Sequence, residues 1–407
     1  MNGTIPEEMI LFSELKSLVL TKNFISGTIP HALTSLTNLQ ELSLSQNLIN
    51  GTIPSEIGNL KHLKYLGLDS NKLTGKIPVE VRELSILTTL NLNCNLLSGR
   101  IPLAIQQLKY LQFLNLDANR LSRKIPSEIG MLTNLAFVNF NKNELTGTIP
   151  SQLFNLPNLV SLDLSSNQLR GQLPVPSSSS RLSFLSVENN RLKKKIPTEI
   201  GRLEHLAILN LSKNKISGSI PSSIQNMTKI YQLQVSFNEL SGTLPTEMFL
   251  PSLQKLDLSR NNLKGTIPSD LINAPKLKEI DLSNNNLSGT LPCSIASLQF
   301  LSDFNIHRNK IKGSIPSEIG QLTQLRQFIA YKNKLTNSVP FELSTLNELE
   351  TLRLDENELT GTIHKAVCFL KYQSLRVFWT DCASNRNGEI EVVCDCCDRC
   401  CSSLEKC

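Results

Sequence analysis

The sequence predicts an α/β solenoid, a chain wound into stacked coils along a parallel sheet. Three observations carry that prediction. An Asn recurs at 23, 47, 71, 95, 119, 143, 167, 190, 214, 238, 261, 285, 309, 333 and 357, an interval of 24 residues that shortens to 23 only at 167–190 and 238–261. In one coil, 63–84, the apolar residues Leu63, Leu66, Leu68, Leu73, Ile77, Val81 and Leu84 match neither one helix nor one strand along the whole stretch. Gly and Pro return in the same phase as the Asn. Such a period marks a repeat architecture in which each coil buries its apolar side only against its neighbours.

The elements of one coil follow in order. Leu66-Gly67-Leu68 alternates, so Leu66 and Leu68 point inward while Tyr65, Gly67 and Asp69 point outward, as in a strand. Stacked coils set these strands side by side. Asn71 ends the strand at a turn. Its carboxamide donates and accepts at once, so stacked asparagines serve the buried backbone of neighbouring coils. Gly75 suits a turn at positive φ, although Arg123, Lys194 and Asn337 stand there in three coils. Pro78 fixes φ and ends any ladder it meets. The PSEIG pieces at 126–130 and 316–320 predict one helical turn capped by Ser.

The consensus LxxLxLxxNxLxGxIPxxIGxLxxL resembles the plant-type leucine-rich repeat, over about residues 3–381. That resemblance implies a superhelix with one long parallel sheet on the concave face, and short helical turns with second short strands at Gly-x-Ile-Pro on the convex side. It divides the chain into a solenoid of about 15 coils at 1–381 and a cysteine-rich cap at 382–407.

Bulk properties agree. A chain of 407 residues would ordinarily hold two or three globular domains, but a solenoid grows coil by coil without an internal boundary. The net charge of +6 is thin over so long a body and does not call for nucleic acid. No apolar run is long enough to span a membrane. Residues 1–6, MNGTIP, sit in mid-repeat, so the expectation is a truncated start that lacks an N-terminal cap and a signal peptide. Residues 174–181, PVPSSSSR, form a low-complexity edge, and Lys193, Lys194 and Lys195 form a solvated basic knot or an anion contact.

Eight of the 10 cysteines lie at Cys368, Cys382, Cys394, Cys396, Cys397, Cys400, Cys401 and Cys407. A small cap buries little area, so disulfides are the expected staple, with Cys368 and Cys382 joined into the cap. The C-x2-C spacings at 394–397 and 397–400 admit a metal, but no His accompanies them and adjacent cysteine pairs suit ligation poorly. The expectation is therefore no metal and no cofactor. Asp381 stands 24 after Asn357, in the place of the repeat Asn, and Trp379 is expected to pack on the open end of the last coil. Cys94 reads as an unpaired thiol. Plant-type repeats with a Cys-Cys tail look like secreted or receptor-like repeat proteins of algae, diatoms especially. Disulfides and the sequons at Asn2, Asn50, Asn210, Asn226 and Asn286 point to the extracellular space or cell surface.

No catalytic motif is present. The sequence holds no P-loop, no H-E-x-x-H and no G-x-S-x-G, and its 5 histidines are scattered, so no enzyme is expected. Function then lies on the outward face of the sheet. One column reads Tyr65, Thr89, Phe113, Phe137, Ser161, Phe184, Ile208, flanked by Asp69, Asn91, Asn115, Asp117, Asn139, Asn141, Asp163 and Glu188. Wet apolar side chains in line suit a peptide, protein or cell-wall glycan ligand. The bland alternative is that they lean on one another. A second patch, Phe237, Arg260, His307, Arg308, Tyr331, Lys332 and Arg353, is basic and aromatic and suits an acidic chain end or an acidic glycan. The resemblance implies a receptor-like recognition module that works with a co-receptor. Two other classes stay open. One is a secreted inhibitor like the polygalacturonase-inhibiting proteins, which have about ten coils. The other is an ice-binding protein, whose Gly-Thr-Ile-Pro threonine row would here be broken by Lys76, Arg100, Lys124 and Lys195.

Overall fold

The computed structural model describes residues 1–177, 180–382 and 392–400. It comprises two compact units, Met1–Leu206 and Ala207–Cys407. In the first unit Ser17–Val19, Glu41–Ser43, Tyr65–Gly67, Thr89–Asn91, Phe113–Asn115, Phe137–Asn139, Ser161–Asp163 and Phe184–Ser186 pair in chain order, all parallel. In the second unit the ladder runs Ile208–Asn210, Gln232–Gln234, Lys255–Asp257, Glu279–Asp281, Asp303–Asn305, Gln327–Ile329, Thr351–Arg353, Val377–Thr380 and Arg399–Cys400. The fold is the solenoid that the periodicity predicts, with the long parallel sheet that the resemblance implies. The middle residue of each strand is apolar and buried, from Leu42 to Phe378. The larger inward side chains are Phe140 in the first unit and Phe304, Phe328 and Phe378 in the second, with Phe304 and Phe328 stacked at 5.6 Å.

The asparagines hold successive coils together. Asn143 Oδ1 accepts from the backbone N–H of Leu121 at 2.9 Å. Its Nδ2 donates to the carbonyls of Leu116, Phe140 and Asn141 at 2.9, 3.3 and 3.1 Å. One carboxamide thus serves groups of two coils. Asn47, Asn95, Asn167 and Asn285 repeat the pattern. The residue before each Asn is forced to positive φ, between 49° and 57°, though none is glycine. The Gly position later in the coil is also left-handed. Arg123, Lys194 and Asn337 adopt φ of 72°, 79° and 65° there, a conformation that costs an L-residue about 1–2 kcal/mol.

Four expectations are corrected. The serines of the PSEIG pieces do not cap a helical turn. Each piece is a 3₁₀ turn preceded by an extended Pro, and Ser127 Oγ donates to Glu128 at 3.1 Å instead. The second strand ends near the glycine, as in Glu144–Gly147, rather than continuing into Ile-Pro, because proline has no N–H for the ladder. Asp381 is not the sixteenth ladder Asn. Strand register sets Trp379 opposite Arg353, so Asp381 aligns with Asp355, two places earlier in the coil. Buried there, Asp381 accepts from the N–H groups of Glu356 and Asn357 at 2.5 and 2.8 Å. In the coil before, the carbonyls of Asp355 and Glu356 accept from Lys332 and Asn333. The carboxylate therefore stands in for the carbonyls of a following coil. Trp379 faces outward and leaves the end to Phe378.

The tail is stapled back onto the last coil by Cys368–Cys396, Cys382–Cys400 and Cys394–Cys397. Cys368 and Cys382 are thus both joined into the cap, each to a tail cysteine. Cys401 and Cys407 lie outside the described residues, as do 178–179 of the Ser-rich edge. Cys94 and Cys293 are free and exposed. Among the described residues no helix is long and apolar enough to cross a membrane.

The ladder makes a checkable demand. Asn143→Ala leaves Leu121 N–H without its acceptor inside a packed turn, so stability is expected to fall by about 1–3 kcal/mol. Denaturant unfolding of the variant beside the parent measures it.

Candidate ligand-binding face

In the first unit the strand register brings the aromatic column together. Tyr65, Thr89, Phe113, Phe137, Ser161 and Phe184 are directly paired, each to the next, and all are half-buried on the outward side. Phe113 and Phe137 lie face to face, with ring centroids 4.4 Å apart and planes within 5°. They therefore lean on one another, as the bland reading holds, yet both keep solvent-facing surface. Tyr65 folds over Gly67, where an added Cβ would lie 2.8 Å from its ring. That close approach explains a glycine in mid-strand. Ile208 opens the ladder of the second unit, beside Gln232.

The polar flank is partly occupied by the fold itself. Asn139 Oδ1 accepts from Asn141 N–H at 3.0 Å, and Asn115 Oδ1 from Asp117 N–H at 3.2 Å. These caps finish the outward edge of each strand. Asp117 differs: its Oδ1 is covered and has no hydrogen-bond partner, as is Asn91 Oδ1. Burial raises the Asp117 pKa, with nearby Lys142 opposing. Hydrogen bonds from the Ala118 backbone and the Asn141 side chain also oppose the rise, so the Asp117 carboxylate is partly engaged by the fold.

In the second unit the basic patch becomes a continuous stack. His307 lies flat on Tyr331, centroids 4.4 Å apart. The Arg353 guanidinium sits 4.1 Å from the Tyr331 centroid and 4.1 Å from that of Trp379. Arg399 covers the far side of Trp379 at 5.0 Å. Fully buried Asp355 fixes Arg353 with a forked pair of hydrogen bonds, 3.1 Å from Nε and 2.8 Å from Nη2. Lys332 reaches over Tyr331 and pairs with Glu356 at 2.8 Å. Arg308 is exposed on the same coil as His307. Phe237 and Arg260 form a separate cation–π pair at 4.6 Å.

Sequence reasoning missed Trp379, Arg399 and the support from Asp355. The first two fall outside the 24-residue phase, because the register step from Arg353 to Trp379 is longer than one repeat. It also missed an acidic cleft of about 400 Å³ lined by Lys255, Asp257, Glu279, Asp281 and Asp303, in which Lys255 pairs with Glu279. Those residues come from three adjacent strands. Burial raises the Asp281 pKa, against hydrogen bonds from Ser283.

His307 is held neutral. Burial first, then the positive charges of Arg308, Arg353, Arg260 and Lys332, push its pKa down to about 4. Its two ring nitrogens lie 2.6 Å from Asn305 Oδ1 and 3.0 Å from Asn284 Nδ2, which suits one N–H donor and one bare acceptor.

The chain belongs to the leucine-rich repeat family. The leucine-rich repeat region model matches residues 14–173, and the single-repeat model matches 205–227, 252–274 and 276–298. No curated protein is a significant sequence match. Among solved structures, the chain is similar to the plant peptide hormone receptor RGFR1 in complex with RGF2, at 35% identity and a TM-score of 0.85, covering 94% of this chain and 66% of that one. It is similar to the Arabidopsis receptor kinase HAESA in complex with the peptide hormone IDA and the co-receptor SERK1, at 31% identity and a TM-score of 0.84, covering 100% and 77%. A Leptospira interrogans repeat protein, LIC12759, matches at 30% identity with a TM-score of 0.68, over 88% and 95%. The chain spans slightly less than two thirds of the RGFR1 chain and of a TDR receptor chain.

A pH prediction follows from His307. The unfolded chain takes up a proton near the ordinary His pKa, while the folded site resists until about 4. The stability this contributes is present above the ordinary pKa and is lost as pH falls toward the folded value. The Tm of His307→Gln is expected to drop less than that of the parent between about pH 7 and pH 4.5, a difference that thermal melts at both pH values resolve.

Proposed function

We propose that this chain is an extracellular recognition module that binds an extended peptide or protein segment along the outward face of its main sheet. The observation that carries the reading is the aromatic row of the first unit. Tyr65, Phe113, Phe137 and Phe184 stand half-exposed on one face, each on its own strand, with Asp117 and Asn139 on the polar flank beside them. An extended ligand laid across the strands meets one such side chain at intervals of about 5 or 10 Å. Apolar patches rimmed by polar groups mark interaction sites. Taken by itself, the second unit's stack from His307 to Arg399, with Arg308 and Lys332 beside it, is suited to an acidic group.

Likeness to receptors solved with peptide hormones supports the ligand class, and the HAESA complex makes a co-receptor a reasonable second partner. Three disulfides favour an oxidising compartment and hence the cell exterior. A recognition role needs no catalysis, and the main-sheet face offers a shallow wet surface rather than a closed dry site. Nothing in the geometry favours inhibition of a glycosidase or binding of ice.

The test is a binding screen of the whole chain against secreted peptides, followed by Phe137→Asp with Phe184→Asp. Ligand affinity is expected to fall by at least about 2 kcal/mol, the scale of aromatic anchors at interfaces, with the fold intact by circular dichroism. If the double variant keeps every interaction the parent shows, the aromatic row is not the binding face.

A further inference from the structure

The second ladder of the first unit is built from cations. Ser98–Gly99, Arg120–Lys124, Glu144–Gly147, Gln168–Gly171 and Arg191–Lys194 succeed one another as parallel strands in a sheet separate from the one that carries the aromatic row. Their outward positions, with the residue that follows the turn, carry Arg100, Arg120, Arg123, Lys124, Arg170, Arg191, Lys193, Lys194 and Lys195, every one exposed. Glu144 is the acid among these strands. Among the described residues none of the nine cations is in a salt bridge.

The arrangement is unfavourable in isolation. Arg170 pairs in register with Arg191, and Lys193 lies two residues further on the same strand face. Like charges directly opposite on a sheet destabilise it. Arg123 and Lys194 also occupy the left-handed turn position that is glycine in most coils. Arg100, Arg123 and Lys124 line a cleft of about 880 Å³ with Ser127, Thr148 and Gln152, where Glu128 is the acidic wall. The equivalent stretches of the second unit carry fewer cations, at Lys215, Lys264, Lys310, Lys312 and Lys334, with Glu239 and Glu358 among them.

We propose that this basic ladder is a docking surface for a sulfated polysaccharide. The strand spacing of about 4.8 Å sets cations at intervals comparable to one sugar residue, so a linear polyanion laid across the strands neutralises them in series. No aromatic side chain stands on these strands to stack on a sugar ring or a base. Recognition must therefore read charge density, and binding driven by counterion release grows with the number of neutralised charges. Sulfate esters give a denser line of charge than the single carboxylate of a uronic-acid unit. The proposal rests on the extracellular placement given above, which also disfavours nucleic acid. It does not rest on the aromatic row, which belongs to a different sheet.

The test measures binding of the full chain to dextran sulfate, polygalacturonate and single-stranded RNA between about 50 and 200 mM salt. The expected result is tightest binding to dextran sulfate, weakening steeply with salt. The variant Arg170→Ser/Arg191→Ser/Lys193→Ser, whose positions are exposed, is expected to lose on the order of tenfold to a hundredfold in affinity and about three units of log–log salt slope. The matched control Lys310→Ser/Lys312→Ser/Lys334→Ser removes the same charge from the second unit and is expected to change affinity less than about threefold. Circular dichroism melts establish that both variants fold. Phe137→Asp/Phe184→Asp is expected to leave dextran sulfate binding unchanged, which separates failure of this surface from failure of the peptide face. Equal loss in the two lysine and arginine variants reduces the effect to net charge and overturns the proposal. Tighter binding to polygalacturonate or RNA, or no binding to dextran sulfate, overturns it as well.

Discussion

The structure depends on one interaction repeated coil after coil: a buried asparagine amide that bonds to the backbone of its own coil and of the one before. A solenoid coil has no central core to return to, so the polar backbone at each turn must find partners in its neighbours. Asn143 meets that need with one acceptor and a shared donor, joining groups from Leu116 to Asn141. The geometry exacts a left-handed residue before every Asn, including Lys142 and Phe237. It also explains the far edge of the second unit. Where no further coil supplies carbonyls, Asp381 supplies a carboxylate, and the disulfides hold the tail against that edge.

Because the ladder and the inward leucines carry the stability, the outward positions are free to vary. Those positions are where the two units differ. The first carries aromatic side chains in a single row, while the second carries an acidic cleft beside a stack of alternating rings and guanidinium groups. The stack is more than decoration of a strand. Half-buried Arg353 is sandwiched between Tyr331 and Trp379 and clamped by Asp355, so its charge is held in place by the fold itself. Neutral His307 fits the same environment, since four cations nearby disfavour a fifth.

Much of this was legible from residue order because the period is so strict. Counting in steps of 24 put Phe113 beside Phe137, and Tyr331 beside His307, before any coordinates. The reading failed where the period slips. Trp379 and Asp381 lie two residues beyond their expected phase, so the last coil was misassigned. It also failed where roles depend on contacts rather than position. The serines of PSEIG bond to the adjacent Glu, because the preceding Pro leaves the 3₁₀ turn without a serine at its cap. The acidic cleft went unseen because Asp257, Glu279, Asp281 and Asp303 come from three separate strands.

The sequence by itself determined the coil, its inward leucines, the asparagine ladder and which residues face outward, since all of these are set by local alternation and a fixed period. Only the tertiary structure decided which outward side chains are satisfied by their neighbours and which are left available. Asn139 Oδ1 is consumed by its own strand end, and Arg353 is locked by Asp355 while exposed Arg170 faces Arg191 without an ion pair. That distinction rests on distances of a few ångströms between strands, which no count along the chain contains.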